Sequence, residues 1–216
     1  MAADTTVIIT SCGRHDLLLR TLLSFRAFNT DRHTGDVLVV EDGEGDPSAL
    51  CARFGARLLK IGTRVGQIAA IDLAYSFVTT PYIFHCEDDW EFYRAGFIER
   101  SRPLLESDLS AVCIWLRSWG DTNGHPLSFA SPCRTFGVLA QDYLYAGNAW
   151  TGFTFNPGLR RLSDYARVGP FARHTADPGV PVEVAIGTHY RGLGFRSIIL
   201  DEIGYVRHIG WGRHVG

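Results

Sequence analysis

Apolar and polar positions follow two distinct rhythms along the first half of the chain. Residues 6–10 (TVIIT) are an unbroken β-branched run, the pattern of a strand buried on both faces. Residues 16–28 then place leucines and phenylalanines at helical spacing. The succession recurs. Strand-like 36–40 (DVLVV) leads to a short helix over 48–54 and a strand over 57–61. A helix over 67–77 follows, then a strand over 82–86 (YIFHC), a helix over 96–105 and a strand over 111–115 (AVCIW). Repeated strand–helix units imply right-handed crossovers, and so an α/β fold with a mostly parallel central sheet flanked by helices. After about residue 119 the rhythm loosens, and 120–152 is rich in Gly, Pro, Ser and Asn. Beyond it, 159–167 and 182–191 read as helices, 195–200 and 204–206 as strands, and the tail HIGWGRHVG as a loop. No linker stands out. The pattern predicts one domain over 1–216, with a first half of about 1–119 and a second half, 120–216, that completes the site.

Composition narrows the class of partner. Hydrophobic residues at 46% and charged residues at 20% are globular values. Lys+Arg 21 against Asp+Glu 23 gives a net charge of -2, which argues against a nucleic-acid partner. No apolar run reaches the ~18–20 residues of a membrane span. The best stretch, around 68–78, is interrupted by Asp72. The N-terminus has no basic n-region, so no signal peptide is expected. The cysteines (5) are scattered and form no Cys-x-x-Cys pair, which fits free thiols in a reducing cytoplasm better than a structural zinc site.

In an open parallel sheet, ligands bind at the carboxyl ends of the strands. Ser11-Cys12-Gly13-Arg14 follows the first strand, Glu41-Asp42-Gly43 the second, Gly62-Thr63-Arg64-Val65-Gly66 the third and Glu87-Asp88-Asp89 the fourth. Small, basic and acidic groups thus gather at one edge, which suits a phosphorylated ligand together with a cation. Adjacent carboxylates repel one another unless a cation or strong donors lie near, and hard oxygen ligands suit Mg²⁺ or Mn²⁺. The competing interpretation of the triplet is a solvated acidic turn or a helix N-terminus. Trp150-Thr151-Gly152, with Trp115 and Trp119, offers an aromatic floor for a sugar, or a plain core.

The stretches TVIITSCGRHDLLLRTLLSF, VLVVEDGEGDP and RVGQIAAIDLAYSFVTTPYIFHCEDDWEF, taken in this order, resemble the nucleotide-sugar half of GT-A fold glycosyltransferases, family 2 above all. The likeness covers most of 5–105 and resumes more weakly at WTGFTFNPGLRRL, PVEVAIGTHYRGLGFRSII and VRHIG. It implies that Thr10, Ser11 and Arg14 pack on the nucleoside and that Glu41 or Asp42 contacts the base. Arg64 and Gly66 stand where relatives carry an Asn-x-Gly stretch, and Asp72 where relatives place a polar residue near the nucleotide. Glu87-Asp88-Asp89 corresponds to the Asp-x-Asp signature, with Asp89 and Glu87 on the metal and Asp88 on nucleotide or metal. His208, at the start of the tail, corresponds to the histidine that metal-dependent relatives supply. Glu183 corresponds to the catalytic base of inverting relatives, and its apolar neighbours would raise its pKa usefully. A Glu favoured by the helix dipole is the plainer alternative. Arg213 and His214 would close over the diphosphate, with Arg favoured by its fork.

The expected activity is metal-dependent transfer of a sugar from a nucleotide donor, UDP-linked first, to a hydroxyl acceptor with inversion. A membrane-bound acceptor, met by peripheral contact, is compatible with this. A non-catalytic sugar-nucleotide-binding module remains the alternative from a different class. A phosphatase using an aspartyl-phosphate is disfavoured because Ser11-Cys12-Gly13 follows the first strand. A nucleotidyltransferase is disfavoured because Lys60 is the sole lysine, and a dehydrogenase because no Gly-x-Gly-x-x-Gly follows a strand.

Overall fold

The computed structural model describes residues 2–145 and 147–213. Strands β1 (Thr5–Ser11), β2 (Thr34–Glu41), β3 (Arg57–Lys60) and β4 (Tyr82–Glu87) alternate with helices α1 (His15–Phe28), α2 (Ser48–Phe54) and α3 (Gln67–Tyr75). A short β5 (Trp90–Phe92), α4 (Phe97–Ser107) and β6 (Ala111–Trp115) follow. The looser region holds β7 (Leu127–Ala130), β8 (Gly137–Leu139), β9 (Tyr143–Tyr145) and β10 (Asn148–Trp150). Next come β11 (Gly158–Arg161), α5 (Leu162–Val168), a 3₁₀ turn at Phe171–His174, α6 (Val182–Gly192), β12 (Arg196–Ile199) and β13 (Val206–His208).

Nine strands form one sheet in the order β3-β2-β1-β4-β11-β6-β12-β8-β7. The pairs β2/β3, β1/β2, β1/β4 and β6/β12 are parallel, as the rhythm predicts, and the other four pairs are antiparallel. β1 is buried along its whole length because helices cover both faces. Its alternate side chains enter separate apolar layers. Val7 and Ile9 meet Leu18, Leu22 and Phe25 of α1, whereas Ile8 meets Ala70, Ile71 and Ala74 of α3. Residues from both halves of the chain build each layer. Phe171, Val184 and Tyr190 join the α3 layer, and Ile198, Tyr205 and Val206 join the α1 layer.

The largest departure from the pattern lies at 159–167. Its first residues are β11, antiparallel to both β4 and β6. The gap between two parallel strands demands a backbone partner, and this outweighs helical spacing. Gly158 is required there, since a Cβ would lie 2.3 Å from the Ile114 carbonyl oxygen. Arg161 then locks the strand by donating to the Leu105, Leu109 and Ala111 carbonyls. The strand expected at 204–206 instead runs Val206–His208 and pairs antiparallel with β5.

Candidate functional site

The carboxyl edge of β1, β2, β4 and β6 opens into a cavity of about 650 Å³, within the ~300–1,000 Å³ usual for small-ligand pockets. Thr10, Ser11, Cys12 and Arg14 enter it from the end of β1, and Asp42 from the end of β2. The turn before α3 supplies Arg64, Gly66 and Gln67, and the end of β4 supplies Glu87, Asp89 and Trp90. Glu183 reaches it from the first turn of α6, and His208 from β13. The strand-end rule and the motif order thus bring these residues to one place.

Asp89 lies at the centre of the acidic end. Pairing of β13 with β5 sets His208 opposite Trp90, which brings His208 Nε2 to 3.2 Å from Asp89 Oδ2. Arg14 Nη1 donates to the same oxygen at 2.8 Å. Asp89 Oδ1 is buried with no hydrogen-bond partner among the described residues. Burial pushes the Asp89 carboxyl up, but the bonds and charges of His208 and Arg14 outweigh it and hold the group below its ordinary value. The tail crosses Asp89 so closely that a Cβ at Gly210 would fall 2.3 Å from Oδ2.

The other two acids of the triplet have different duties. Asp88 is fully buried and turned to the β1 loop, where Arg14 grips it and the Cys12 amide donates to it at 3.3 Å. Burial raises its carboxyl to about 6 despite the pull of Arg14. Glu87 accepts from Gln67 Nε2 at 2.6 Å and from Trp90 Nε1 at 3.2 Å. Burial, reinforced by the charges of Asp89 and Glu183, pushes it up to about 8. Glu183 accepts from Thr154 Oγ1 at 2.9 Å and from the Phe155 amide at 2.6 Å, both on Oε1. Burial raises its carboxyl.

Several expected contacts belong to the scaffold instead. Glu41 is fully buried, and its carboxylate accepts from Ser11 Oγ and the Gly13 and Gly43 amides, each at 2.7 Å. It clasps the β1 loop from beneath and has no surface to offer a base. Asp42 reaches the cavity but accepts from the Val65 and Gly66 amides at 2.7 Å, so it also braces the turn carrying Arg64. Asp72 accepts from Tyr165 Oη at 2.9 Å and from the Phe171 and Ala172 amides at 2.8 Å. It joins α3 to the 3₁₀ turn outside the cavity. Trp150 is buried, with Nε1 donating to the Phe153 carbonyl at 2.7 Å. The Gly152 carbonyl accepts from Trp115 Nε1 at 2.7 Å, and Thr151 packs under Gly187 of α6. Trp150, Thr151 and Gly152 are therefore core, not a sugar floor. Arg213 is paired with Asp16, Nη1 to Oδ2 at 2.6 Å, and does not line the cavity. His214 lies outside the described residues.

The sequence reading passed over Arg117, Tyr145 and Trp211, which also line the cavity. Arg117 is 3% exposed, directed by Asp121 and Asn123 and stacked over Trp90. It stands just beyond the carboxyl end of β6, so the strand-end rule carried one strand further finds it. Trp211 sits in the tail beside His208, with ring centroids 4.6 Å apart.

No family model matches the sequence, and no curated protein matches it. Solved structures do resemble it. The mannosyltransferase PcManGT from Pyrobaculum calidifontis, in complex with GDP-Man and Mn2+, superposes with a TM-score of 0.69 at 14% identity, over 99% of this chain and 59% of that one. TarS of S. aureus superposes with a TM-score of 0.62 at 13% identity, over 94% of this chain and 36% of that one. In the TarS 1-349 structure the share rises to 59%. The chain thus spans about three fifths or less of these proteins. At such identities the likeness is one of architecture: the chain has the mixed α/β fold of these glycosyltransferases.

Proposed function

We propose that this chain is a glycosyltransferase that moves a sugar from a nucleoside-diphosphate donor to a hydroxyl acceptor with inversion. The observation that carries the reading is the convergence of Asp89, His208 and Glu183 on one cavity at the carboxyl edge. The fold shared with a protein seen with GDP-Man and Mn2+ supports it. Glu183 Oε2, left over from the two bonds on Oε1, takes the proton of the acceptor hydroxyl as its oxygen attacks the anomeric carbon. The bond from that carbon to the diphosphate breaks, and Arg64 and Arg117 face the departing charge.

A divalent cation, Mn²⁺ or Mg²⁺, fits the acidic end. The buried Asp89 Oδ1, which has no hydrogen-bond partner among the described residues, and the adjacent His208 imidazole are a suitable donor pair. Among the described residues no cluster of three or more His, Cys, Asp or Glu forms a cage, so substrate phosphate would complete the coordination. When bound, such an ion supplies electrostatic stabilisation of the leaving diphosphate. UDP is the first donor base to try and GDP the second. No described helix is long and apolar enough to cross a membrane.

The test is a thermal-shift and turnover panel of UDP- and GDP-sugars with Mn²⁺, with Mg²⁺ and with chelator. One nucleotide should raise the melting point only with metal, and that donor should be consumed. Asp89→Ala should lose the metal-dependent shift. Glu183→Gln should keep it and lose turnover by about 10²–10⁴-fold. Full activity in Asp89→Ala with the same metal requirement would overturn the assignment.

A further inference from the structure

On the sheet face that carries α3 and α6, a cation is buried with no ion pair among the described residues. Arg160 of β11 is 3% exposed. Its Nη2 donates to the Thr154 carbonyl at 3.1 Å, while Nε and Nη1 have no hydrogen-bond partner among the described residues. Its guanidinium carbon stands 5.6 Å from the Phe153 ring centroid and 5.9 Å from that of Phe155. These ring faces return part of the desolvation cost, yet a buried charge without a counter-ion remains expensive. Arg161, the next residue, pairs with Asp164 at 3.0 Å. Among the described residues Arg160 has no such counterpart, so its charge calls for another use.

The hydrogen bonds around Arg160 lead to the candidate base. Thr154 accepts from Arg160 through its carbonyl and donates through Oγ1 to Glu183 Oε1, and the Phe155 amide donates to the same oxygen. We propose that Arg160 is a positioning residue for Glu183: it fixes the 153–156 turn that orients the carboxylate, and its buried charge offsets the cost of ionising that carboxylate among apolar neighbours. The inference rests on Glu183 being the base. Burial pushes Glu183 up, and the Phe155 and Thr154 bonds with the charges of Arg160 and Arg117 pull it back. The groups acting on Glu183 are Arg160 of β11, Arg117 beyond β6, Cys113 of β6 and Glu87 of β4. Of the two cations, Arg117 is bonded to Asp121, which leaves Arg160 as the less compensated charge.

The experiment titrates the protein labelled with ¹³C at glutamate carboxyls, with the Glu183 resonance identified by its loss in Glu183→Gln. Arg160→Met, Arg160→Lys and Thr154→Val are compared with the parent, alongside pH profiles of kcat. In Arg160→Met the Glu183 titration and the acidic limb of kcat should both move up. Transfer at pH 6 should fall by about tenfold or more, while the nucleotide thermal shift stays. Arg160→Lys keeps the charge and should bring the titration back toward the parent. Thr154→Val deletes one bond to Oε1 and should move it up by less. It also keeps the idea testable if Arg160→Met does not fold. An unmoved Glu183 resonance in the folded Arg160→Met protein, or in Thr154→Val if the former is lost, overturns the inference. A resonance that moves in a protein with no transfer activity sinks the glycosyltransferase reading alone.

Discussion

Glu41 separates two meanings of the same residue. If it clasps the β1 loop, its removal should damage the unliganded fold. If it contacts a base, removal should spare that fold and weaken nucleotide binding. The carboxylate accepts three hydrogen bonds at 2.7 Å, two of them from backbone amides, and has no exposed surface. A bond to a charged group contributes about 1.5–3 kcal/mol, and a stranded buried amide costs about 1–3 kcal/mol. Neighbouring terms do not add, and deleting the carboxylate also relieves its desolvation. A loss of about 3 kcal/mol is therefore expected for Glu41→Ala. At about 2.1 cal/mol/K per residue, 216 residues give an unfolding entropy of about 0.45 kcal/mol/K, so Tm should fall by about 7 °C. Glu41→Gln can still accept both amide bonds on one oxygen, and Ser11 can turn its hydroxyl to accept from the new amide. Its Tm should fall by less than half as much. Differential scanning fluorimetry without ligand, then with a nucleotide series, measures both quantities. An unchanged Tm for the unliganded Glu41→Ala protein, with nucleotide binding lost, would refute the clasp.

Three further outcomes are expected. Gly210→Ala should force the tail off Asp89, since its Cβ would meet Oδ2 at 2.3 Å; metal-dependent nucleotide binding should drop while far-ultraviolet dichroism is unchanged. Asp72→Ala should cost about 2–4 kcal/mol in urea unfolding, because two amides and the Tyr165 hydroxyl lose their acceptor, and nucleotide affinity should be retained. Burial raises the Asp201 carboxyl, but bonds from Arg94, Tyr205 and the Gly204 amide outweigh it and hold the group below its ordinary value. Its stabilisation is present above the unfolded value of about 3.9 and fades as pH falls through the lower folded value. Asp201→Asn should accordingly be less stable than the parent at pH 7, and urea titrations should show the gap closing below about pH 4.

Legibility in the sequence tracked how local the cause was. The buried strands β1, β2, β4 and β6 announce themselves as apolar runs because both of their faces are covered. β11 does not, because Leu159, Leu162 and Tyr165 also suit a helix, and the gap between β4 and β6 exists only in three dimensions. The hairpin strands β9 and β10 are three residues each and partly exposed, too short for periodicity to register. At the site, residues at strand ends were found because topology alone carries them to one edge. Asp72 and Trp150 misled because a carboxylate or an indole looks the same in sequence whether its partner is a ligand or a backbone group. Asp72 is bonded to three donors of the later chain, and Trp150 to a carbonyl three residues on.

The place of β11 also bears on how the chain is made. Residues 158–161 are inserted between β4 and β6, strands that have left the ribosome well before them. Until that late segment emerges, the nascent polypeptide holds β4 with one unpaired flank and β6 with no neighbour to dock against. An unpaired flank of this kind is a template for pairing with another chain. Synthesis that stalls between residue 115 and residue 161 is therefore the interval in which this protein is most exposed to misassembly and to capture by chaperones.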